Sequence, residues 1–191
     1  MGAKTLFVQC DVSDANSVQS AVDAAVAEFG RLDIGVNNAG IGGSAAAAGD
    51  YGVDEWHRVI SINLDGACYC MRSEVPEMRK VGAGEIEYAP ENIRVVAVNP
   101  GSIETPLPKS DGIAKGPGVY EMMRNLRPIG RLGQPQEIAN PVAWLCSDEA
   151  SFVTGVPMVV DGGYTAQSPP LRSEKFRANR WSRIGPRAYP D

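Results

Sequence analysis

The sequence predicts an α/β domain built on a doubly wound parallel sheet, and three features of its 191 residues point there. Short apolar runs of strand length recur at residues 5–10, 32–36, 93–98 and 157–160. Between them lie stripes of apolar residues three and four apart. That alternation joins parallel strands through right-handed helical crossovers. Small or carboxamide side chains follow several of the runs at once, as in Asn37-Asn38-Ala39-Gly40 and Asn99-Pro100-Gly101. Ligands of open α/β sheets bind beyond the carboxyl ends of the strands, where such loops lie.

Composition narrows the class. A formal net charge of −5 argues against nucleic acid as the main partner. No apolar run approaches a membrane span and no signal-peptide pattern opens the chain, so a cytoplasmic protein without a membrane partner is expected. Four cysteines do not make a disulfide framework in a chain of this length. Cys68 and Cys70 stand two apart on a predicted helix and point to different sides, which suits neither a bridge nor a metal site. All four are expected to be small buried hydrophobes in a reducing compartment, and no metal is expected. The single histidine, His57, reads as a helix-surface residue.

In chain order, a strand over residues 5–10 leads to Asp11-Val12, and Ser13 is placed to cap the next helix. The stripe of that helix is Val18, Val22, Ala25, Val26 and Phe29, and Gly30 suits a left-handed stop after it. Leu32, Ile34 and Val36 form a buried parallel strand ending at Asn37. Residues 41–53 read as a mobile small-residue loop. A long helix then spans about 54–80, with Trp56, Val59, Ile60, Asn63, Leu64, Ala67 and Met71 facing inward. Asn63 is the anomaly on that face, because a buried amide must find partners or cost about 1–3 kcal/mol. The pattern breaks down after Pro76. Ile93–Val98 is a buried strand, residues 107–118 read as a loop covering the substrate, and residues 119–126 suit a short helix. A helix over 135–147 starts on Pro135 and packs through Ile138, Val142, Ala143, Leu145 and Cys146, with a bend at Pro141. Pro157–Val160 is the last strand. Residues 4–167 are expected to form one incomplete domain. Residues 168–191, with six Arg or Lys against two acids, are expected to be a basic disordered tail.

Asp11-Val12, Asn37-Asn38-Ala39-Gly40, Asn63, Asn99-Pro100-Gly101 and Val160-Asp161-Gly162-Gly163 occur in this order and at compatible spacings. Together they resemble the short-chain dehydrogenase/reductase family, over roughly Lys4 to Gln167. The resemblance implies a partial Rossmann-like sheet and hydride transfer between NAD or NADP and a small-molecule alcohol or ketone. It places Asp11, Val12, Asn37, Ala39, Gly40, Pro100, Gly101, Ile103 and Thr105 against the cofactor. It makes Asn63 the anchor of a water in the proton relay.

Two parts of the family pattern have no match. No glycine-rich phosphate-binding turn precedes Thr5, so the chain starts at what would be the third strand. The family's acid is a Tyr followed four residues later by a Lys, on one helix face. The fourth residue on is Glu55 after Tyr51, Ser73 after Tyr69, Asn92 after Tyr88, Arg124 after Tyr120 and Ser168 after Tyr164; nothing stands there after Tyr189. The catalytic Ser has no match either. Glu85-Ile86 resembles the start of one strand, and Tyr88 to Arg94 resembles the end of the following helix. A single omission between them looks more like a skipped exon than gradual decay. The family's strand order would leave two strand widths between residues 5–10 and 32–37, so a compact chain is expected to pair these two strands directly and otherwise to be unstable or need a partner. The chain is therefore expected to be an inactive member with weak or no cofactor binding. The alternatives are a non-catalytic module forming a homo- or hetero-oligomer through residues 134–163, or an incomplete splice or gene-prediction product.

Overall fold

A computed structural model of the chain describes residues 2–44, 46–81, 92–105 and 118–166. Helix α1 spans Ala15–Phe29. Its cap is Asp14, whose carboxylate accepts the Asn16 N–H at 2.9 Å. Ser13, expected in that role, instead donates its own N–H and hydroxyl to Asp11 Oδ1 at 2.9 and 2.7 Å, so it belongs to the preceding turn. Val18 and Val22 face inward, while Phe29 is 42% exposed under the Lys4 ammonium, 5.5 Å from its ring centre. Gly30 ends the helix at φ 81°, returning its N–H to the Val26 carbonyl at 2.7 Å.

The long helix is present in three continuous pieces: α2 over Val53–Ile60, a π-turn over Ser61–Asp65, and α3 over Gly66–Arg79. Helix α1 packs on α3. The inward stripe expected for this helix needs correction. Trp56 and Leu64 are 56% and 61% exposed and Asn63 is exposed, because no described element covers that face. The cysteines are corrected too: all four are free, as expected, but Cys10 and Cys68 are exposed and Cys70 and Cys146 half-buried. His57 is exposed on α2.

Strands β1 (Ala97–Pro100) and β2 (Pro157–Val160) form the sheet, paired in parallel with Ala97 opposite Pro157 and Pro100 opposite Val160. Less regular bonds extend the pairing backward. The Gly155 N–H reaches the Val95 carbonyl at 2.8 Å, and the Val95 N–H reaches Thr154 Oγ1 at 3.2 Å. Helix α4 spans Val119–Asn125 and α5 spans Pro135–Leu145, the latter opened by a reciprocal Gln134–Glu137 capping box. Leu145 is buried and Ile138 and Val142 half-buried, but Ala143 faces solvent, contrary to expectation.

The expected direct pairing of residues 5–10 with 32–37 does not occur. Both runs are straight, without turn or bend, yet neither makes a backbone–backbone hydrogen bond among the described residues. Phe7 is 89% exposed and Ile34 and Val36 are about half exposed, so the expectation of a buried strand at 32–36 fails as well. Each run is held instead by its end loop to the α2–α3 helix, and no described strand fills the interval between them. The expectations for residues 82–91, 106–117 and 167–191 lie outside the described residues. No helix is long and apolar enough to cross a membrane among those described.

The capping box supplies a pH test. Glu137 accepts two bonds from the Arg131 guanidinium at 2.7 Å and one from the Gln134 N–H at 2.8 Å, which hold its pKa at about 2 against an ordinary 4.5. A depressed carboxylate pKa stabilises the fold above the unfolded value. That contribution fades as pH falls from about 4.5 towards 2. A carboxyl-carbon NMR titration is expected to place the Glu137 midpoint near 2, and Arg131→Ala should raise it towards 4.5. A midpoint of 4.5 in the unmodified chain would refute the arrangement.

Candidate functional site

The chain's chemistry gathers in two loops that follow strand-like runs. The first is the 37–41 loop, carried by the π-turn. Asn63 Oδ1 accepts the Ile41 N–H at 2.9 Å, and Asn63 Nδ2 donates to the Ile41 carbonyl at 2.9 Å. One carboxamide thus satisfies both backbone groups of Ile41, as a neighbouring strand would. Asn63 sits inside the π-turn, closed by the Gly66 N–H on the Ser61 carbonyl. Such one-turn bulges re-aim side chains and recur at functional sites. Among the described residues, its two chain neighbours aside, a Cβ at Gly40 would meet only Asn63 Oδ1, at 3.6 Å, so this loop leaves its outer side open.

The same helix holds the neighbouring site residues. Val12 packs on Gly66, where a Cβ would lie 2.9 Å from Val12 Cγ2, so only glycine lets the helix come this close. Asp11 is occupied by Ser13, whose hydroxyl and N–H lower its pKa. Asn37 donates from Nδ2 to Glu74 Oε2 at 3.0 Å. Ala39 is exposed, between Asn38 and Gly40. Sequence reasoning missed Glu74. Its signal was a carboxylate within the stripe Met71, Glu74, Val75, Met78, whose spacing otherwise marks a buried face.

The second loop, residues 100–105, rests on the block formed by α4, α5 and the turn after β2. Pro100 closes β1, and the Gly101 N–H bonds the Val160 carbonyl at 2.9 Å. A Cβ on Gly101 would lie 2.7 Å from Asp161 Cα, so this backbone crossing requires glycine. Ile103 bridges to Gly133, and the Thr105 N–H folds back to the Ile103 carbonyl at 2.9 Å. Behind the loop, Arg127 donates to Ser102 Oγ and the Met123 carbonyl and lies 5.3 Å from the Tyr164 ring centre. Asp161 accepts from the Gly163, Tyr164 and Thr165 N–H groups and the Thr165 hydroxyl; the Thr165 N–H contributes most to a lowered pKa.

Tyr120, whose fourth residue on is the basic Arg124, does not pair with it. Its hydroxyl donates to Glu104 Oε1 at 2.7 Å, while Arg124 binds Glu121 at 2.6 Å. The hydrogen bond to Glu104 raises the phenol pKa above its ordinary 10. Gln134 Nε2 fixes the other carboxylate oxygen at 2.7 Å. The structure therefore joins Asn63 with Gly40 and Ile41, and Val12 with Gly66, while Pro100, Gly101, Ile103 and Thr105 form a separate rigid loop. Among the described residues no three His, Cys, Asp or Glu side chains cluster as metal ligands.

The Asn63–Ile41 pairing predicts a split between two substitutions. Asn63→Ala loses both bonds and is expected to cost about 0.5–1.5 kcal/mol, with faster amide exchange at Ile41. Asn63→Asp keeps the acceptor for the Ile41 N–H and should retain most of that protection. Equal exchange at Ile41 in the unmodified chain and the alanine variant would remove this role.

The family model described as enoyl-(acyl carrier protein) reductase matches the chain in two pieces, residues 1–86 and 85–165. The chain is 38% identical over 200 positions to cis-4-hydroxycyclohexanecarboxylate dehydrogenase of Sinomonas cyclohexanicum, covering 86% of this chain and 78% of that protein. It is 35% identical over 201 positions to cyclohexanol dehydrogenase of Acinetobacter sp. (strain SE19), with coverage of 87% and 77%. Its fold matches that of 3-ketoacyl-(acyl-carrier-protein) reductase from Brucella melitensis complexed with NADH, at a TM-score of 0.75 and 32% identity over 83% of this chain and 78% of that one. With its parallel β1–β2 pair, flanking helices and ordered motifs, the chain is a partial Rossmann-type α/β protein and belongs to the short-chain dehydrogenase/reductase family of oxidoreductases.

Proposed function

We propose that this chain keeps the cofactor-facing loops of a cytoplasmic oxidoreductase of small alcohols and ketones but does not complete turnover by itself. The observation that carries this reading is Tyr120. It is the one tyrosine with a basic residue four places on, and it gives its hydroxyl hydrogen to Glu104 at 2.7 Å instead of pairing with a cation. A phenol held by a carboxylate keeps its proton more tightly, the reverse of what a general acid needs. The alignments support an internal omission. The 201 positions shared with cyclohexanol dehydrogenase hold 87% of 191 residues, about 166, so about 35 positions of that protein face no residue of this chain. The two pieces of the family match meet at residues 85–86, where the resemblance expects the Ser and Tyr-Lys segment to begin.

The open side of Gly40 fits the flat end of a nicotinamide dinucleotide, since among the described residues, its two chain neighbours aside, only the Asn63 side chain stands within 4 Å of a Cβ there. Asn37, Ala39 and Gly40 on one loop and Pro100, Gly101, Ile103 and Thr105 on the other would line it, with Asp11 and Val12 on the turn before α1. Bound there, NAD or NADP would supply or accept the hydride. Asn63 positions the 37–41 loop. Without a general acid the rate falls by about 10²–10⁴, and cofactor binding by these loops alone is weak. The full chain mixed with NADH or NADPH and a panel of cyclic ketones is expected to oxidise the cofactor no faster than a protein-free blank. Clear turnover with any ketone would overturn the reading.

A second reading, a non-catalytic module that associates through residues 134–163, is favoured by Trp144, Phe152, Val156 and Val159. All are apolar and 37–103% exposed within that stretch. Exposed apolar groups beside an edge strand invite pairing with another chain. Sedimentation over a concentration series is expected to show self-association that Val159→Lys abolishes. A strictly monomeric species at every concentration would end this reading.

A further inference from the structure

The largest cavity described, about 560 Å³, is walled by residues 33–38, residues 92–98 and one face each of α3 and α5. We propose that this cavity is a strand-receiving site. It takes an extended peptide of mainly apolar side chains with one basic residue, lying parallel to β1.

Three observations carry the assignment. First, the backbone edges on the cavity meet no backbone partner among the described residues. Val95 and Ala97 spend their backbone groups on the β2 side, through the Gly155 N–H at 2.8 Å and the Val156 carbonyl at 3.3 Å. Alternate residues of a strand direct these groups to opposite edges, so Val96 and Val98 aim theirs away from β2, where no described backbone meets them. The run 33–38 is straight and has no backbone–backbone partner among the described residues. An inserted strand pairs with both edges at once.

Second, the walls suit strand side chains. The α3 face presents Met71, Val75 and Met78, and the α5 face presents Ile138, Val142 and Leu145. A strand projects successive side chains to opposite faces, so β-branched or apolar residues would meet a helix on either side.

Third, the charge of the cavity is one-sided. The Glu74 carboxylate lies flat on Gly35, its Cδ and both oxygens 2.6 Å from where a Cβ would stand. Among the described residues it bonds the Asn37 amide alone, at 3.0 Å, and no cation is within ion-pair distance. Asp33 is paired with Arg31, and Arg94 is turned to the Leu145, Ser147 and Val153 carbonyls. A half-buried carboxylate with one neutral partner is complementary to a Lys or Arg on the entering strand.

The test uses the full chain, isotope-labelled, with the acetylated and amidated hexapeptide Val-Ile-Lys-Val-Thr-Val. Two relatives of the probe carry norleucine for the lysine or proline for the fourth residue. Saturable binding of the lysine peptide is expected, with slowed amide exchange at Gly35, Val96 and Val98. The proline peptide should not bind, because it lacks an N–H and cannot complete a ladder. Glu74→Gln should weaken the lysine peptide about tenfold and leave the norleucine peptide unchanged. Should that variant fail to fold, the same contrast is read from the two peptides on the unmodified chain, where norleucine is expected to bind about tenfold more weakly. Equal binding of the proline peptide, or no peptide-dependent protection at the three amides, overturns the proposal. So does protection of those amides without any peptide, which would mean that the chain itself or a second copy fills the cavity.

Discussion

Every strand residue holds its N–H and C=O out sideways, so a strand in the interior of a parallel sheet needs a neighbour on each edge. That requirement organises what is regular in this protein and what is not. β1 and β2 satisfy one another along one edge. Residues 5–10 and 32–37 follow straight paths but meet no backbone partner among the described residues. The distribution of burial follows. The buried apolar residues of the first half, Val18, Val22 and Met78, belong to helices, whereas Leu6, Phe7, Ile34 and Val36 are 46–89% exposed. A helix closes its own hydrogen bonds and can pack on whatever is nearby; a strand segment cannot.

The continuous helix of α2, the π-turn and α3 therefore acts as the scaffold for the first half. Val12 sits on its Gly66, the Ile41 backbone is met by its Asn63, and Asn37 is met by its Glu74. Three anchors of different kinds, van der Waals, amide-to-backbone and amide-to-carboxylate, hold the two loose runs at fixed places without any ladder between them. In the second half the corresponding ties are Gly101 against Asp161 and Arg127 between Ser102, Met123 and Tyr164. The two candidate-site loops are thus set by helices and turns, the elements that need no adjacent strand.

This division also explains what the sequence could disclose. Helices were legible because their signals are local: Gly30 as a stop, Pro135 as a start, the Val18–Val22 stripe. The cap was misassigned, Ser13 for Asp14, because two good cap residues stand side by side and Asp11 claims the first. The apolar runs marked where strands would lie, but not whether anything lies beside them, since burial of a strand belongs to its neighbours. Hence Ile34 and Val36 read as core and prove half exposed. The need of Asn63 for partners was visible in its place on an apolar helix; the identity of the partner, Ile41, 22 residues away, was not. Glu104 and Tyr120 meet across 16 residues and a stretch with no helical or strand period, so no local pattern could join them.

Descent from an oxidoreductase and turnover by this polypeptide are separable because they rest on different residues. The motifs that carry the family, at Asn37 to Gly40 and Pro100 to Thr105, are loops rich in glycine, asparagine and proline, and their close backbone approach is seen at Gly101 against Asp161. The proton transfer needs one acid of suitable strength beside the reacting carbon, and geometry elsewhere cannot substitute for it. Tyr120 shows what a phenol's surroundings do to its strength as an acid. Moving a tyrosine towards useful acidity takes a cation, and this one faces the Glu104 carboxylate, which strengthens the hold on the proton.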